Sequence, residues 1–263
     1  MKIFDFKHKK QQQEKITVLT CYDYAAARTI AATSLDCILV GDSVAMVVHG
    51  HNNTIMATMP MMLLHTQAVA RGLGSQFLIS DLPFLCHRIS QADTLLNVQQ
   101  LLQAGAHAIK IEGCDDDTCA LIQYITLSGI PIVGHLGLTP QFIHQLGGYR
   151  IQGKDEQQAQ LFLEQAQQLE RAGCCALVLE CIPARLAKII TENLAIPTIG
   201  IGAGKYTDGQ VLVWHDILGL QDEFKPRFLK QYLLSKHNKI DAINNYIADV
   251  KLSLYPDDKH SII

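Results

Sequence analysis

The stretch AGAHAIKIEG, Ala104–Gly113, contains the pattern that decides the fold. Small residues of the kind that end a helix lead into a short apolar run, and two charged side chains, Lys110 and Glu112, interrupt that run. On a β-strand, residues two apart share a face, so Lys110 and Glu112 point one way and the two flanking isoleucines point the other. The stretch therefore predicts a buried strand with charged groups at its C-terminal end, as parallel strands have where they border a ligand site.

Seven other runs of this kind occur along the chain, and helix-like segments separate them. The eight predicted strands lie near residues 16–23, 37–43, 76–82, 108–113, 131–136, 175–181, 197–202 and 210–214. Strands that alternate with helices predict a parallel sheet, and eight of them in 263 residues predict one α/β domain, a TIM (β/α)8 barrel over residues 1–263. An open, doubly wound sheet is the alternative that this pattern leaves.

Helix signals fill the intervals between these runs. Ser90 stands three residues before Asp93, as in a capping box, and Asp115–Asp117 put negative charge where the dipole of the next helix favours it. Four more helices are predicted at residues 156–172, 184–193, 226–236 and 240–252. The last two, Pro226–Lys236 and Ile240–Leu252, are expected to pack outside the barrel.

The composition argues against several classes of partner. The formal net charge is −3 and no dense stripe of Lys and Arg is present, so we expect no nucleic-acid partner. No apolar signal region and no run of about 20 apolar residues occurs, so we expect a cytoplasmic protein that does not bind membranes. The eight cysteines include no C-x-x-C pair, which favours buried free thiols over disulfides or a metal cluster.

Ionisable side chains interrupt the predicted strands near their C-terminal ends. They are Asp42, Asp81, Lys110, Glu112, His135 and Glu180, from five successive strands. Such ends meet at one mouth of a TIM barrel, so these six side chains are predicted to face one another. Carboxylates are hard oxygen ligands, and two or three of them with waters are typical of a Mg²⁺ site. Zinc is less favoured, because His49 and His51 lie in a polar loop without a matching ligand pair.

Longer strings around these charges point to a family. In order, they are LVGDS (Leu39–Ser43), HTQAVARG (His65–Gly72), DLPF (Asp81–Phe84), AGAHAIKIEG (Ala104–Gly113), GHLGLTPQ (Gly134–Gln141), GGYRIQG (Gly147–Gly153), LVLEC (Leu177–Cys181), IPTIGIGAG (Ile196–Gly204) and DGQVLVWHDILG (Asp208–Gly219). Together they closely resemble the ketopantoate hydroxymethyltransferase family over roughly residues 14–255. GHLGLTPQ, GGYRIQG and KIEG in the right order are the most specific part of the resemblance.

The resemblance implies a TIM barrel that assembles into a cytoplasmic homodecamer. It implies transfer of a hydroxymethyl group from 5,10-methylenetetrahydrofolate to the small 2-oxo acid 3-methyl-2-oxobutanoate, giving 2-dehydropantoate for pantothenate and coenzyme A biosynthesis. The implied cofactor is Mg²⁺, and the methylene folate is a co-substrate. Folate sites lack a short motif, so the loops at residues 44–58 and 136–154 are only candidates for binding it.

Matching the family's motifs to this sequence implies three roles for seven residues. The implied metal ligands are Asp42, Asp81 and Glu112, the last acting directly or through water. The implied substrate-binding residues are Asp42, Ser43, Asp81, Lys110 and His135. Glu180 is the implied catalytic proton acceptor.

The chain departs from the family pattern beside the predicted site. Ala45 stands where the family usually has glycine, and residues 52–56 read NNTIM where a D-S-T-L-P-like loop is usual. Cys114 replaces the glycine that commonly follows KIEG. These positions concern loop geometry and folate binding more than the chemistry.

Two other functions suit a carboxylate-rich barrel mouth. One is a Mg²⁺-dependent lyase or mutase of the isocitrate-lyase and phosphoenolpyruvate-mutase type, acting on a small 2-oxo acid. The K-K-C-G-H-like cysteine loop that would support it is missing from the sequence. The other is a barrel without activity, retained for assembly or regulation, which the intact set of charged residues disfavours.

Overall fold

The eight strands form a closed parallel barrel in sequence order, in which the last strand pairs with the first. A computed structural model describes residues 1–221, 226–233 and 238–262. The strands are β1 Ile16–Thr20, β2 Cys37–Val40, β3 Phe77–Asp81, β4 Ala108–Glu112, β5 Ile132–Gly137, β6 Ala176–Glu180, β7 Thr198–Ile201 and β8 Gly209–Leu212. The predicted TIM barrel is confirmed. The first two predicted runs extend three residues past the observed strands, because their last residues already belong to the loops at the barrel mouth.

Helices follow the strands and cover the outside of the barrel. They are α1 Ile3–Gln11, α2 Tyr24–Ala31, α3 Val44–Val47, α4 Met59–Gly72, α5 Gln91–Gln103, α6 Asp116–Leu127, α7 Ile143–Leu146, α8 Glu156–Arg171, α9 Ala184–Asn193, α10 Trp214–Ile217 and α11 Lys239–Lys251. Short 3₁₀ turns lie at Thr54–Met56, Pro140–Phe142 and Asp258–His260. Among the described helices, none combines the length and apolar character needed to cross a bilayer.

Both helix starts predicted from polar residues are present. The Ser90 hydroxyl accepts a hydrogen bond from the Asp93 N–H at 3.0 Å and caps α5. The Asp115 carboxylate accepts one from the Thr118 N–H at 2.9 Å and caps α6. These bonds satisfy backbone donors that the first turn of a helix leaves free, which is why short polar residues begin helices.

The N-terminal helix α1 was not predicted, and it closes the bottom of the barrel. Phe6 is its one buried residue and packs edge-on against Phe77 of β3, with ring centroids 5.2 Å apart. Lys10 anchors the helix through a 2.8 Å ion pair with Asp208, which precedes β8. Because α1 buries Phe6 and only part of Ile3, its sequence lacks the sustained 3.6-residue hydrophobic period that indicates a helix.

The prediction of a helix at Pro226–Lys236 is wrong for the described residues 226–233, which form a turn and extended chain. Residues 234–236 of that prediction lie outside the described ranges. Polar groups from other elements hold this segment: the Tyr232 N–H donates to the Ile217 carbonyl at 2.8 Å, and the Tyr255 hydroxyl donates to the Phe228 carbonyl at 2.6 Å. Bonds to distant elements thus replace the internal bonds of a helix. The helix predicted at Ile240–Leu252 is present as α11.

Alternation along the strands separates two apolar layers. Ala108, Val133 and Val178 point into the lower half of the barrel, where Phe6 also lies. Ile109 and Ile111 point outward and pack between the sheet and the helices, as predicted. Lys110 and Glu112 share the inward face but lie nearer the C-terminal end. The barrel is therefore apolar below and charged at its mouth.

Candidate active site

The seven residues predicted for the site line one cavity at the C-terminal mouth of the barrel. They are Asp42, Ser43, Asp81, Lys110, Glu112, His135 and Glu180, and the cavity has a volume of about 990 Å³. Asp81, Glu112 and Glu180 are the last residues of β3, β4 and β6, while Asp42 lies in the loop after β2. Parallel strands ending at one level bring together side chains that are far apart in sequence.

Asp42 and Asp81 form a buried acidic pair. The Asp42 N–H donates to Asp81 Oδ2 at 3.0 Å, which joins the loop after β2 to the end of β3. A Cβ on Gly41 would lie 2.8 Å from the Ser43 hydroxyl, so any other residue here would displace that hydroxyl. Burial, reinforced for Asp42 by the neighbouring carboxylates, raises the pKa of both acids.

Lys110 is the cation beside this pair. Its ammonium is 3.2 Å from Asp81 Oδ2 and 3.4 Å from Glu112 Oε1, and the side chain is buried. Burial alone lowers the pKa of a lysine, but the carboxylates of Asp81 and Glu112 outweigh it and raise the pKa of Lys110. Lys110 is therefore positively charged at neutral pH.

Glu112 is held on several sides. His135 Nδ1 is 3.1 Å from Glu112 Oε1, and the Gln141 N–H donates to Oε2 at 3.1 Å. Burial opposes ionisation, but Lys110 and His135 outweigh it and lower the pKa of Glu112 to about 2. Glu112 is thus a carboxylate whose two oxygens already have partners.

His135 and Glu180 form the other side of the mouth. His135 Nε2 is buried and lies 3.3 Å from Glu180 Oε2. Burial and Lys110 lower the pKa of His135, but Glu112 and Glu180 outweigh them and raise it to about 9. The Glu180 side chain keeps 17% of its surface exposed to the cavity, whereas that of Glu112 keeps 2%. Gly137, at φ +96°, lets the chain pass close to the Glu180 carbonyl, where a Cβ would lie only 2.2 Å from that oxygen.

Gln141 belongs to the site, although it was not predicted as a site residue. Its side-chain amide donates to Asp42 Oδ2 at 2.8 Å and to the Leu82 carbonyl at 3.0 Å, and it is buried. Together with its backbone bond to Glu112, it links the loop after β5 to two of the predicted ligands. The string GHLGLTPQ contained Gln141, but a neutral amide after a strand gives no signal of this role.

Tyr22 is a second residue that the sequence did not indicate. Its hydroxyl is 2.8 Å from the Ser43 hydroxyl, and its ring is fully buried. The Tyr22 carbonyl contacts His65 Nδ1 at 2.6 Å, and His65 Nε2 contacts His49 Nε2 at 2.8 Å. His49 and His51 lie in the loop after α3, as predicted, and His51 borders the cavity.

The pair Asp42–Asp81 offers carboxylate oxygens to a divalent cation but does not by itself enclose one. Asp81 Oδ1 is buried and has no hydrogen-bond partner among the described residues, so it is a free oxygen donor beside Asp42. No three His, Cys, Asp or Glu side chains in the described ranges are arranged to hold a metal ion. Mg²⁺ commonly takes one or two carboxylates and keeps several waters, so the chemistry of the two aspartates fits it.

The eight cysteines are free thiols, but the predicted burial holds for only three of them. Cys21, Cys37 and Cys174 are buried, while the other five are half-buried. None of the cysteines except Cys181 borders the charged cavity.

Comparison with solved structures finds a similar barrel fold in other proteins. A putative phosphonomutase from Burkholderia cenocepacia superposes with a TM-score of 0.61 at 14% identity, covering 80% of this chain and 91% of the other. A 2,3-dimethylmalate lyase of the PEP mutase/isocitrate lyase superfamily gives 0.59 at 18% identity, with 80% of each chain covered. At these identities the likeness concerns the fold alone.

Sequence comparison is more specific. A 3-methyl-2-oxobutanoate hydroxymethyltransferase of Legionella pneumophila (strain Philadelphia 1) is 62% identical over 261 residues, covering 99% of this chain and all of the relative. One from Francisella tularensis subsp. holarctica is 49% identical over 258 residues, covering 98% of this chain and 97% of the relative. The family model for ketopantoate hydroxymethyltransferase matches residues 1–258. The chain belongs to the ketopantoate hydroxymethyltransferase family.

Proposed function

We propose that this enzyme transfers a hydroxymethyl group from 5,10-methylenetetrahydrofolate to 3-methyl-2-oxobutanoate and forms 2-dehydropantoate, for pantothenate and coenzyme A biosynthesis. Family membership supports a hydroxymethyltransferase, and the names of the relatives support this acceptor. The observation that carries the proposal is the acidic pair Asp42–Asp81 with Lys110 at 3.2 Å on the cavity floor, with Glu180 on the wall. Lys110, together with a metal ion held by the two aspartates, would offer positive charge to the negatively charged oxygens of a small oxo acid.

We propose Mg²⁺ as the cofactor, held by Asp42 and Asp81 directly and by Glu112 through water. When bound, the ion would act as a Lewis acid toward the oxo acid and make its C3 hydrogen more acidic. Lys110 adds a fixed positive charge where negative charge develops on the substrate, in a site largely shielded from water. The Ser43 hydroxyl, held by Tyr22 at 2.8 Å, donates a hydrogen bond that fixes the substrate's orientation. His135 completes the proposed substrate contacts.

Glu180 is the proposed acceptor of the C3 proton. It differs from the three other carboxylates because its side chain remains partly exposed to the cavity, and unlike Asp81 and Glu112 it forms no ion pair with Lys110. His135, at 3.3 Å, orients its carboxylate from below. A base must also be open to the substrate, and Glu180, although it pairs with His135, is the most exposed of these acids.

The structure of the substrate limits the later steps. C3 of 3-methyl-2-oxobutanoate carries two methyl groups and one hydrogen, so it becomes quaternary once the new carbon is attached. Elimination of the folate amine followed by hydration is then impossible, since no hydrogen remains on C3. Water must therefore attack the donor's methylene carbon. We propose that it does so before carbon–carbon bond formation, which generates formaldehyde in the site.

The donor and the assembly are also proposals. The loops at residues 44–58 and 136–154 border the cavity through Met46, His51 and Tyr149, so they are the proposed folate contacts. We further propose a cytoplasmic homodecamer with no nucleic-acid or membrane partner. The lyase or mutase alternative loses its support because the related solved structures share only the fold, whereas the family match covers nearly the whole chain.

The proposal is tested by following consumption of 3-methyl-2-oxobutanoate with methylene folate and Mg²⁺. Turnover to 2-dehydropantoate that stops on adding EDTA and returns with excess Mg²⁺ is expected. Cleavage of the oxo acid without folate would favour the lyase alternative. A folded sample, verified by circular dichroism, that gives no product under any of these conditions would favour a barrel without activity.

A further inference from the structure

Two thiols lie against each other where the loop after β4 leads into α6. Cys114 is in that loop and Cys119 is the fourth residue of α6, and their sulfur atoms are 3.0 Å apart. We propose that this pair is a reversible oxidation site, which forms an intrachain disulfide when the protein meets a peroxide. The inference is independent of the proposed reaction.

The geometry of the N-terminus of α6 places the two thiols in contact. Asp115 is the N-cap of this helix, so Cys114 immediately precedes the cap and Cys119 occupies the fourth helical position. Side chains at these two positions commonly pack together and fix the angle at which the chain enters a helix. In most helices the pair is aliphatic or aromatic. Here both members are cysteines, so the packing that orders the helix start also holds two thiols in contact.

Helix α8 holds Cys114 from the other side. The Gln165 side-chain amide donates to the Cys114 carbonyl at 3.0 Å, and Cys114 Sγ lies 3.4 Å from Gln168 Oε1. Both thiols are half-buried, so part of each side chain is open to a small oxidant, and burial and Cys119 raise the pKa of Cys114, so its oxidation should be faster at alkaline pH. Shortening the 3.0 Å separation to a disulfide requires about 1 Å of sulfur movement.

The oxidation balances with hydrogen peroxide as the oxidant. One sulfur attacks a peroxide oxygen, the O–O bond breaks, and a sulfenic acid and one water result. The second sulfur then attacks the sulfenic sulfur, the S–S bond forms, and a second water leaves. Two electrons pass from the two sulfurs to the peroxide, and both thiol protons end in water. A small dithiol reverses the bond by thiol–disulfide exchange.

Two other cysteines serve as comparisons for this pair. Cys86 is half-buried in the loop after β3, but no hydrogen bond of the described residues joins its thiol to another sulfur. Cys174 belongs to the core cluster against which Cys114 and Cys119 pack, but it is buried. Cys174 is therefore the competing partner, and Cys86 is the control for simple exposure.

The test uses the full chain and peptide mapping. Trypsin should release residues 111–150 as one peptide, because Lys110 precedes it, Arg150 ends it, and no Lys or Arg lies between. That peptide contains Cys114 and Cys119 and no other cysteine. After treatment with hydrogen peroxide and blocking of free thiols, it should have lost two hydrogens and carry no blocking group, and dithiothreitol should restore both thiols. A disulfide from either residue to Cys174, or a reduced pair when Cys86 is already oxidised, would overturn the proposal.

Two serine variants give a matched comparison. In Cys119→Ser, the sulfenic acid on Cys114 has no partner, so it should accumulate and react with dimedone. In Cys86→Ser, the disulfide should form as in the parent protein. If Cys119→Ser fails to fold, mapping of the parent protein still decides the outcome. Dimedone labelling of Cys114 in the parent equal to that in Cys119→Ser would contradict capture by Cys119.

Discussion

Replacing Gln141 with leucine should loosen the site and destabilise the protein, because one amide serves two acceptors. The change keeps the size of the side chain and the backbone bond to Glu112, but it removes the donors to Asp42 Oδ2 at 2.8 Å and to the Leu82 carbonyl at 3.0 Å. A bond to a charged group contributes roughly 1.5–3 kcal/mol and one to a neutral group roughly 0.5–1.5 kcal/mol. Because both acceptors are buried, water cannot replace the donors. We expect a loss of about 2–4 kcal/mol in the free energy of unfolding.

Urea unfolding of the metal-free protein, followed by tryptophan fluorescence and circular dichroism, measures this loss. Gln160→Leu is the matched control, because Gln160 is exposed on α8 and bonds only to Glu164 at 2.8 Å. That control should change stability by less than about 0.5 kcal/mol. Titration with Mg²⁺ gives a second measurement: if Asp42 binds the ion as proposed, Gln141→Leu should weaken its affinity about 10–100-fold. A variant as stable as the control, with unchanged Mg²⁺ affinity, would refute the bridging role.

Three further predictions concern single acids. Glu180→Gln should lower kcat by about 10²–10⁴-fold with little change in KM, and it should stop exchange of the C3 hydrogen in D₂O, followed by proton NMR; normal exchange would remove Glu180 as the base. Asp42→Asn should weaken Mg²⁺ and oxo-acid binding together in calorimetry, whereas a variant with parental metal affinity would take Asp42 off the ligand set. Burial raises the pKa of Asp216 from 3.8 to about 6, so this acid favours folding when protonated, and that contribution is complete below pH ~4 and is lost as the pH rises through 6. Asp216→Asn should therefore reduce the fall in unfolding free energy between pH 4 and pH 7 by about 2 kcal/mol, and an unchanged slope in urea melts would contradict the assignment.

The barrel was predictable because strands that are buried on both faces appear in the sequence as short, continuous apolar runs. A parallel strand covered on both sides must be apolar throughout, so a charged residue within it, such as Lys110 or Glu180, stands out in the sequence. The alternation rule then assigned Lys110 and Glu112 to one face, which the structure confirms. The helix starts at Ser90 and Asp115 were predictable for a similar reason, because the donor and the acceptor of each capping bond are only three residues apart in the sequence.

Errors occurred where distant contacts outweigh local pattern. Helix α1 depends on the buried Phe6 ring, the partly buried Ile3 and the ion pair of Lys10 with Asp208 beside β8, so its own sequence shows little periodicity. The sequence of segment 226–233 has a helical pattern, but the segment is not helical. Its Tyr232 N–H bonds to the Ile217 carbonyl of α10, and its Phe228 carbonyl accepts a bond from the Tyr255 hydroxyl. In both cases the partner lies far away in the chain, and no local rule could include it.

The sequence was sufficient for the order of the eight strands, for the helix starts at Ser90 and Asp115, and for the charged residues near the strand ends, because hydrophobic periodicity and capping act over a few residues. It could not reveal that Gln141 joins Asp42 to the Leu82 carbonyl, that Tyr22 orients Ser43, or that Cys114 touches Cys119. Those contacts exist only once the barrel has closed and the loops have met above it. Neutral amides, hydroxyls and thiols acquire their roles from the groups placed beside them, and that placement depends on the packing of the whole chain.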